Sequence, residues 1–429
     1  MKRLFYTIVL LSVISCKNDT ESTISQNITN PADYETYLNL DEQSKVDELK
    51  TEVAQIKQEA NGDSTRISLY SRIAGKLDQL FNLTGDVDYL NESVRFRESV
   101  SRNSYRAESS KRILSALYIK QHQFKKADSL MSSFTQDYSS RDSQLVQYDI
   151  AMELGEYTKA ESLLDSVRDM GDYSYLIRAA KWNDHIGQLD TTISLMERAM
   201  KLAEESGSDA KRIWSYSNIA DYYGHNGQIE KSYEHYLKTL ELDPNNTYAL
   251  KGIAWIAYSN DRDTNEAKTI LKRLQQRHPI PDYNLELAEI ESFEGNNELA
   301  QKLKQDFMQQ VSNPGYGVMY NAYKINEFVD AGETQKAVEL ARVEVQNRAT
   351  PETYDLLSYA LLSNGQEMEA LEIQEEYVIG KTFEPVAQLH TAMILKNNGR
   401  LEDVAKFKKE LLETEYEMGP VTYKEIKDL

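Results

Sequence analysis

The chain has a single cysteine, Cys16, among 429 residues. That scarcity excludes a disulfide framework, a thiolate zinc site and an iron–sulfur cluster held by this chain alone. Glycine and proline are also scarce, at 18 and 8. Few residues remain to make tight β-hairpins, so helices joined by short turns are favoured. There is no excess of positive charge: 49 Lys and Arg face 69 Asp and Glu, a formal net charge of −20. Neutralising phosphates needs clustered cations, so a nucleic-acid partner is not expected. No apolar run reaches the length that spans a bilayer; the longest is Leu4 to Ile14. Hydrophobic residues still make up 40% of the chain, enough for a large core.

What is present begins with an address. Lys2 and Arg3 precede the apolar run, and Val13-Ile14-Ser15-Cys16 follows it. This tetrad resembles the lipobox of bacterial lipoproteins. The resemblance implies cleavage before Cys16 and attachment of acyl chains to that residue, giving a membrane anchor of several chains. Loss of Lys2 and Arg3 would leave a net charge of −22, so anionic lipid would repel the body and attachment would rest on the lipid. Lys17-Asn18-Asp19-Thr20-Glu21 lacks the Asp after Cys16 that resembles an inner-membrane retention signal. A Lys followed by acids, here interrupted by Asn18, resembles the surface-export signal of some Gram-negative lipoproteins. The expected location is the outer membrane, on the cell surface or otherwise facing the periplasm. Residues 17 to about 31 are polar and without period, and read as a flexible tether.

The remainder repeats. Ile213 to Asn246 carries Trp214, Tyr216, Asn218-Ile219-Ala220, Tyr223, Gly227, Ser232, Tyr236, Leu240 and Asp243-Pro244. This unit closely resembles the tetratricopeptide repeat (TPR). Tyr216, Ile219, Ala220, Tyr223, Gly227, Ser232, Tyr236 and Pro244 stand at its signature positions, with Ser232 and Thr239 where Ala is usual. Small residues let the two helices of a hairpin approach closely, and large ones fill the gap between hairpins. The same turn recurs at Gly85, His122, Gly155, Gly187, Gly227, Asp261, Gly295, Gly332, Gly365 and Gly399. Five residues on stand Ala127, Ala160, Thr192, Ser232, Ala300, Ala337 and Ala370; Ala267 fits after one extra residue. Leu90 and Val404 occupy that place in the terminal units.

The expected fold is therefore all-α, an α-solenoid of about ten TPR-like helical hairpins with terminal capping helices. Residues 1–15 form the signal peptide, 16–31 the lipidated Cys and tether, and 32–62 an N-terminal cap. Repeats occupy 63–203 and 204–412, and 413–429 form a C-terminal cap. Val46, Leu49, Val53 and Ile56 predict an amphipathic helix over Asp41 to Ala60 that covers the open end of the stack. Glu204-Glu205-Ser206-Gly207-Ser208 reads as an exposed loop that divides the array. Gly419-Pro420 breaks the last helix.

Chemistry is sparse. The six His form no HExxH pair, and no phosphate-binding glycine loop or GxSxG elbow occurs. Asp261-Arg262-Asp263-Thr264-Asn265 begins like a calcium loop, but Glu266 stands where Gly is needed and Lys272 where the bidentate Glu is needed. No cofactor or metal is expected. In the TPR family the first helix of each hairpin lines a concave groove. Mapped by that resemblance, the groove receives Trp214, Asp221, His225, Tyr248, Lys251, Trp255, Tyr258, Glu289, Asn326, Asp355 and Tyr359. Trp255 and Tyr258 are three apart, on one helix face, and suit a binding hot spot. A carboxylate clamp of the kind one TPR variant uses has only Asn218 and Lys251 to draw on, and is not expected. The reading is a non-enzymatic outer-membrane lipoprotein whose groove binds a protein or peptide. The alternative is a glycan-binding surface lipoprotein of a nutrient-uptake system; an enzyme assembled from ordinary Asp, Glu and His comes third.

Overall fold

The computed structural model describes residues 27–105, 107–132 and 140–429. Cys16, the signal segment and most of the expected tether lie outside them. Among the described residues there is no strand; the chain is an α-solenoid of ten helical hairpins. The first pairs Ile67–Thr84 with Val87–Asn103, and the last pairs Pro385–Asn397 with Leu401–Leu411. Each expected turn falls between the two helices of a pair.

The turns are short because one residue in the left-handed region reverses the chain. Glycine fills that place in most hairpins, as at Gly227 with φ 69°. His122 does so in the second hairpin with φ 56°, its ring stacked on Phe124 at 5.4 Å. In the sixth hairpin the left-handed residue is Arg262, φ 60°, and not Asp261 as the spacing suggested. The cause is a π-helical turn, Ile256–Asn260, that inserts one residue after the helix Thr247–Trp255. That insertion is the extra residue seen before Ala267.

Close helix approach follows from the small residues. Ala127, Ala160, Ala267, Ala337 and Ala370 are wholly buried, and Ala300 nearly so. Thr192 and Ser232 are tolerated in the same place. The Thr192 hydroxyl donates to the Ala180 and Gln188 carbonyls at 3.2 and 3.1 Å, so its polarity is satisfied inside the hairpin. Leu90 and Val404, larger at the equivalent place, are also buried.

Three expectations are corrected. First, Glu204, Glu205 and Ser206 belong to the helix Leu189–Ser206, not to a loop. Only Gly207, left-handed, and Ser208, which caps the next helix, separate it from Asp209–His225, and the two helices pack together. Second, the N-terminal cap divides. The helix Gln43–Ala60 buries Val46, Leu49, Val53 and Ile56 against the first hairpin as expected. The helix Pro31–Leu38 instead packs on the fifth and sixth hairpins, with Tyr34 and Leu38 buried there. Third, residues 28–30, placed in the tether, are docked. The Asp261 carboxylate accepts from the Ile28 and Thr29 amides at 3.1 and 2.9 Å and from the Thr29 hydroxyl at 2.7 Å.

The solenoid also returns upon itself. Arg348 meets Glu153 at 3.5 Å, 195 residues away. Gly155 lies under the Ala349 carbonyl, Gly187 under the Phe383 ring, and Gly224 under the Tyr416 ring. The Asn91 amide donates to the Gly315 carbonyl at 2.9 Å. One superhelical turn therefore rests on the next, which brings the C-terminal segment to the inner wall of the central hairpins.

Candidate functional site

The inner wall is built by the helices Asp209–His225, Thr247–Trp255 and Asp282–Phe293, each the first helix of its hairpin. Of the sequence-selected residues, Asp221, His225, Tyr248, Lys251 and Trp255 line one cavity of about 260 Å³. Tyr236, Gly252, Glu286, Tyr416 and Glu417 complete its wall.

Asp221 accepts hydrogen bonds from the Tyr236 and Tyr248 hydroxyls. Burial raises its carboxyl above the usual carboxylate range, against the pull of those two donors. Tyr236 reaches Asp221 because Gly252 has no side chain: a Cβ there would stand 2.2 Å from the Tyr236 ring. Lys251 is paired with Glu286 at 3.0 Å. His225 faces Glu417 at 3.6 Å.

Trp255 is not free. Its indole Nε1 donates to the Tyr416 carbonyl at 3.1 Å, and the Ser259 hydroxyl donates to the same oxygen at 2.6 Å. The Tyr416 ring lies against Gly224, where a Cβ would stand 2.8 Å from it. Arg262 pairs with Glu415 at 2.5 Å. The helix Glu415–Asp428 is interrupted at Gly419, φ 72° and ψ 164°, as Gly419-Pro420 suggested. At that kink a Cβ would stand 2.6 Å from a Glu289 oxygen and 2.9 Å from the Trp255 ring. The segment expected as a terminal cap thus has two parts. Met418 and Ile426 pack on Leu389 and Leu411 of the last hairpin, while Glu415, Tyr416, Glu417 and Gly419 enter the inner wall.

The other selected residues lie apart. Tyr258, expected on the groove surface, is only 1% exposed. The π-helical turn and the Gly419 kink enclose it; its ring meets Trp255 and Phe293 edge to face at 5.6 and 5.8 Å. Its hydroxyl donates to Glu289 at 3.2 Å. Asp355 is buried, bonded to His390 Nδ1 at 2.7 Å and to the Gln374 amide at 3.1 Å, and so ties hairpins together. Tyr359 stacks on His390, ring centroids 3.9 Å apart. Asn326 is half-buried away from the cavity. Trp214 is 40% exposed, edge to face with Tyr173. Asn218 is committed to the Trp214 carbonyl at 2.8 Å and Lys251 to Glu286, so neither clamp piece is free.

A second cavity of about 530 Å³ adjoins the first through His225 and Glu417. Asp184, Glu352, Glu384, Glu410, Glu413 and Glu417 line it, with no Lys or Arg. Burial, then the neighbouring Glu417, Asp184 and Glu352 carboxylates, push the Glu384 carboxyl up to about 7. Sequence reasoning missed Gly224, Gly252, Ser259 and Tyr416. Gly224 was findable as the one groove position of its helix without a side chain; Tyr416 was not, because the Trp255, Ser259 and Gly224 it meets are 157 or more residues away.

No protein-family model matches the chain, and no curated protein matches it. Many solved structures align with it, and two of them do so along most of its length. The crystal structure of yeast Tom70 aligns with a TM-score of 0.41 and 11% identity over 90% of this chain and 96% of that one. The APC/C hetero-tetramer Cut9-Hcn1 gives a TM-score of 0.34 and 10% identity over 93% and 98%. The fold assignment stands on the pairing of helices described above.

Proposed function

We propose that this chain is a non-enzymatic, lipid-anchored outer-membrane protein whose inner wall binds a protein or peptide partner. The observation that carries the binding reading is that this wall already grips a piece of polypeptide. Two side chains, Trp255 and Ser259, donate to one main-chain carbonyl, and a side-chain-free position, Gly224, receives an aromatic ring. Main-chain hydrogen bonds with an aromatic anchor are how peptide grooves combine affinity with specificity. Extended inner surfaces are what solenoids offer. The carboxylates serve this arrangement: Asp221 orients two tyrosines and Glu286 neutralises Lys251. Anchoring is supported by Val13-Ile14-Ser15-Cys16. No helix among the described residues is long and apolar enough to cross a membrane.

The test places a photo-crosslinking amino acid at Trp214, on the exposed rim, in cells of the source organism. A discrete cross-linked polypeptide, lost when Asp221 is replaced by Lys, is the expected result. Cross-linking that is absent, or indifferent to Asp221→Lys, would sink the groove reading. In the same cells, Cys16→Ala is expected to release the protein from the membrane fraction.

A glycan ligand is the second reading, favoured by one feature: Trp214 and Tyr248 are 40% and 49% exposed, and the Tyr248 hydroxyl donates to the Asp221 carboxylate. Exposed rings next to a carboxylate suit sugar stacking. Retardation in affinity gels cast with soluble glycans would select it.

A further inference from the structure

The C-terminal segment divides its contacts in a way that a simple cap does not require. Its apolar residues Met418 and Ile426 close the last hairpin, where a cap belongs. Glu415, Tyr416 and Glu417, with the kink at Gly419, make a separate set of contacts with hairpins well over 100 residues earlier. Those contacts have the form of peptide recognition. The Tyr416 ring enters the slot at Gly224, its carbonyl is held by Trp255 and Ser259, and Glu415 meets Arg262. Gly419 lets the chain leave the slot past Trp255 and Glu289 where any side chain would collide.

One contact fits poorly. Glu417 lines both cavities at their junction, where its partner is the His225 imidazole, Nδ1 at 3.6 Å. The charged groups around it in the second cavity are carboxylates, Asp184, Glu352, Glu384, Glu410 and Glu413; His185 and His225 are the basic side chains of that lining, which has no Lys or Arg. Burial and the Asp184 carboxylate raise the Glu417 carboxyl against the pull of His225. A basic side chain at that place would complement the carboxylates that Glu417 opposes.

We propose that Glu415–Gly419 is a built-in occupant of a tyrosine-recognition slot, and that the external ligand of the slot is a partner segment presenting a tyrosine followed by a basic residue. This rests on the peptide-binding reading of the inner wall and names the ligand class. The built-in segment is tethered, so it competes at an effective concentration on the order of millimolar. An external segment displaces it only by binding better, and the mismatch at Glu417 supplies that margin.

The probe is a fluorescent peptide of Glu413–Val421, in its own sequence and with Glu417→Lys. The protein is the full chain, as wild type and as Tyr416→Ala, which removes the ring from the slot at Gly224 and leaves Met418 and Ile426 in place. Binding is read by fluorescence anisotropy. The Tyr416→Ala chain is expected to bind the Lys peptide at least about tenfold more tightly than wild type does, because the tethered competitor has lost its ring anchor. It is expected to bind the Lys peptide about tenfold more tightly than the native-sequence peptide, through charge complementarity. A Lys peptide also carrying Tyr416→Ala should not bind. A Tyr416→Ala chain that melts cooperatively like wild type yet binds neither peptide better than wild type does overturns the proposal.

If Tyr416→Ala does not fold, hydrogen exchange on wild type decides. Amides of 415–419 that open well below the global unfolding free energy, and exchange faster with excess Lys peptide, support the proposal; amides that open only with global unfolding overturn it. Persistence of Asp221-dependent cross-linking at Trp214 when these tests fail would leave the groove reading standing and remove only the built-in occupant.

Discussion

Glu289 shows how a single residue reports the state of the wall. Burial pushes its carboxyl up to about 7, although the Tyr258 hydroxyl donates to it and pulls the other way. The folded state therefore holds a proton that the unfolded chain releases near 4.5. That contribution to stability is fully present below about 4.5 and is lost as pH rises through about 7. Glu289→Gln keeps an oxygen for Tyr258 and removes the ionisation. It is expected to raise the melting temperature at pH 8, by roughly 1–2 kcal/mol of stability after discount for partial exposure, and to change little at pH 4. Equal melting of variant and wild type at both pH values would contradict the buried-carboxyl account. Glu289 was legible as an inner-wall residue from its place in the repeat. Its protonation was not, because that depends on Gly419, which no local pattern connects to it.

The sixth hairpin shows the same division for whole elements. The extra residue before Ala267 was visible as a break in spacing, yet spacing cannot say whether the surplus lengthens the turn or the helix. The structure puts it in the helix as a π turn, which seats Asp261 where it accepts three hydrogen bonds from Ile28 and Thr29. A run of acids that resembles part of a calcium loop is thus a docking point for the start of the fold. Tyr34 adds to the dock by donating to Glu266 at 2.8 Å, and Arg277 by donating to the Tyr37 carbonyl at 3.0 Å. Asp261→Ala should release residues 27–38 locally, at a cost of about 1.5–3 kcal/mol for charged hydrogen bonds. Limited proteolysis should then cut between Pro31 and Gln43 faster than in wild type while the main thermal transition stays in place. Unaltered cleavage would mean that Tyr34 and Leu38 alone hold the helix.

At the scale of the molecule, contacts between successive superhelical turns decide the shape. An open solenoid depends only on neighbouring hairpins. Here Gly155, φ 75°, lies so close to the second turn that a Cβ would stand 2.4 Å from the Ala349 carbonyl. Gly227, φ 69°, has nothing within 4 Å. Gly155→Ala and Gly227→Ala therefore share a backbone penalty of about 1 kcal/mol and differ in the collision. Small-angle scattering should show a larger radius of gyration for Gly155→Ala and an unchanged one for Gly227→Ala. Identical profiles for the two variants would mean that the turns are not held in register at that point.

The amino-acid order by itself determined the parts that depend on neighbours in sequence. Helix pairing, the small residues at Ala127 or Ala160, the left-handed turns and the break at Gly419-Pro420 all follow from local sterics and helical period. It also placed Asp221, His225, Lys251 and Trp255 on one inner wall, since the repeat assigns faces. Only the tertiary structure decided which of those residues are engaged. Small rotations between hairpins accumulate until one superhelical turn lies on the next, and no single hairpin carries that sum in its own residues. The Tyr416 ring in the slot at Gly224, the Asp261 dock and the enclosure of Tyr258 are consequences of that accumulation.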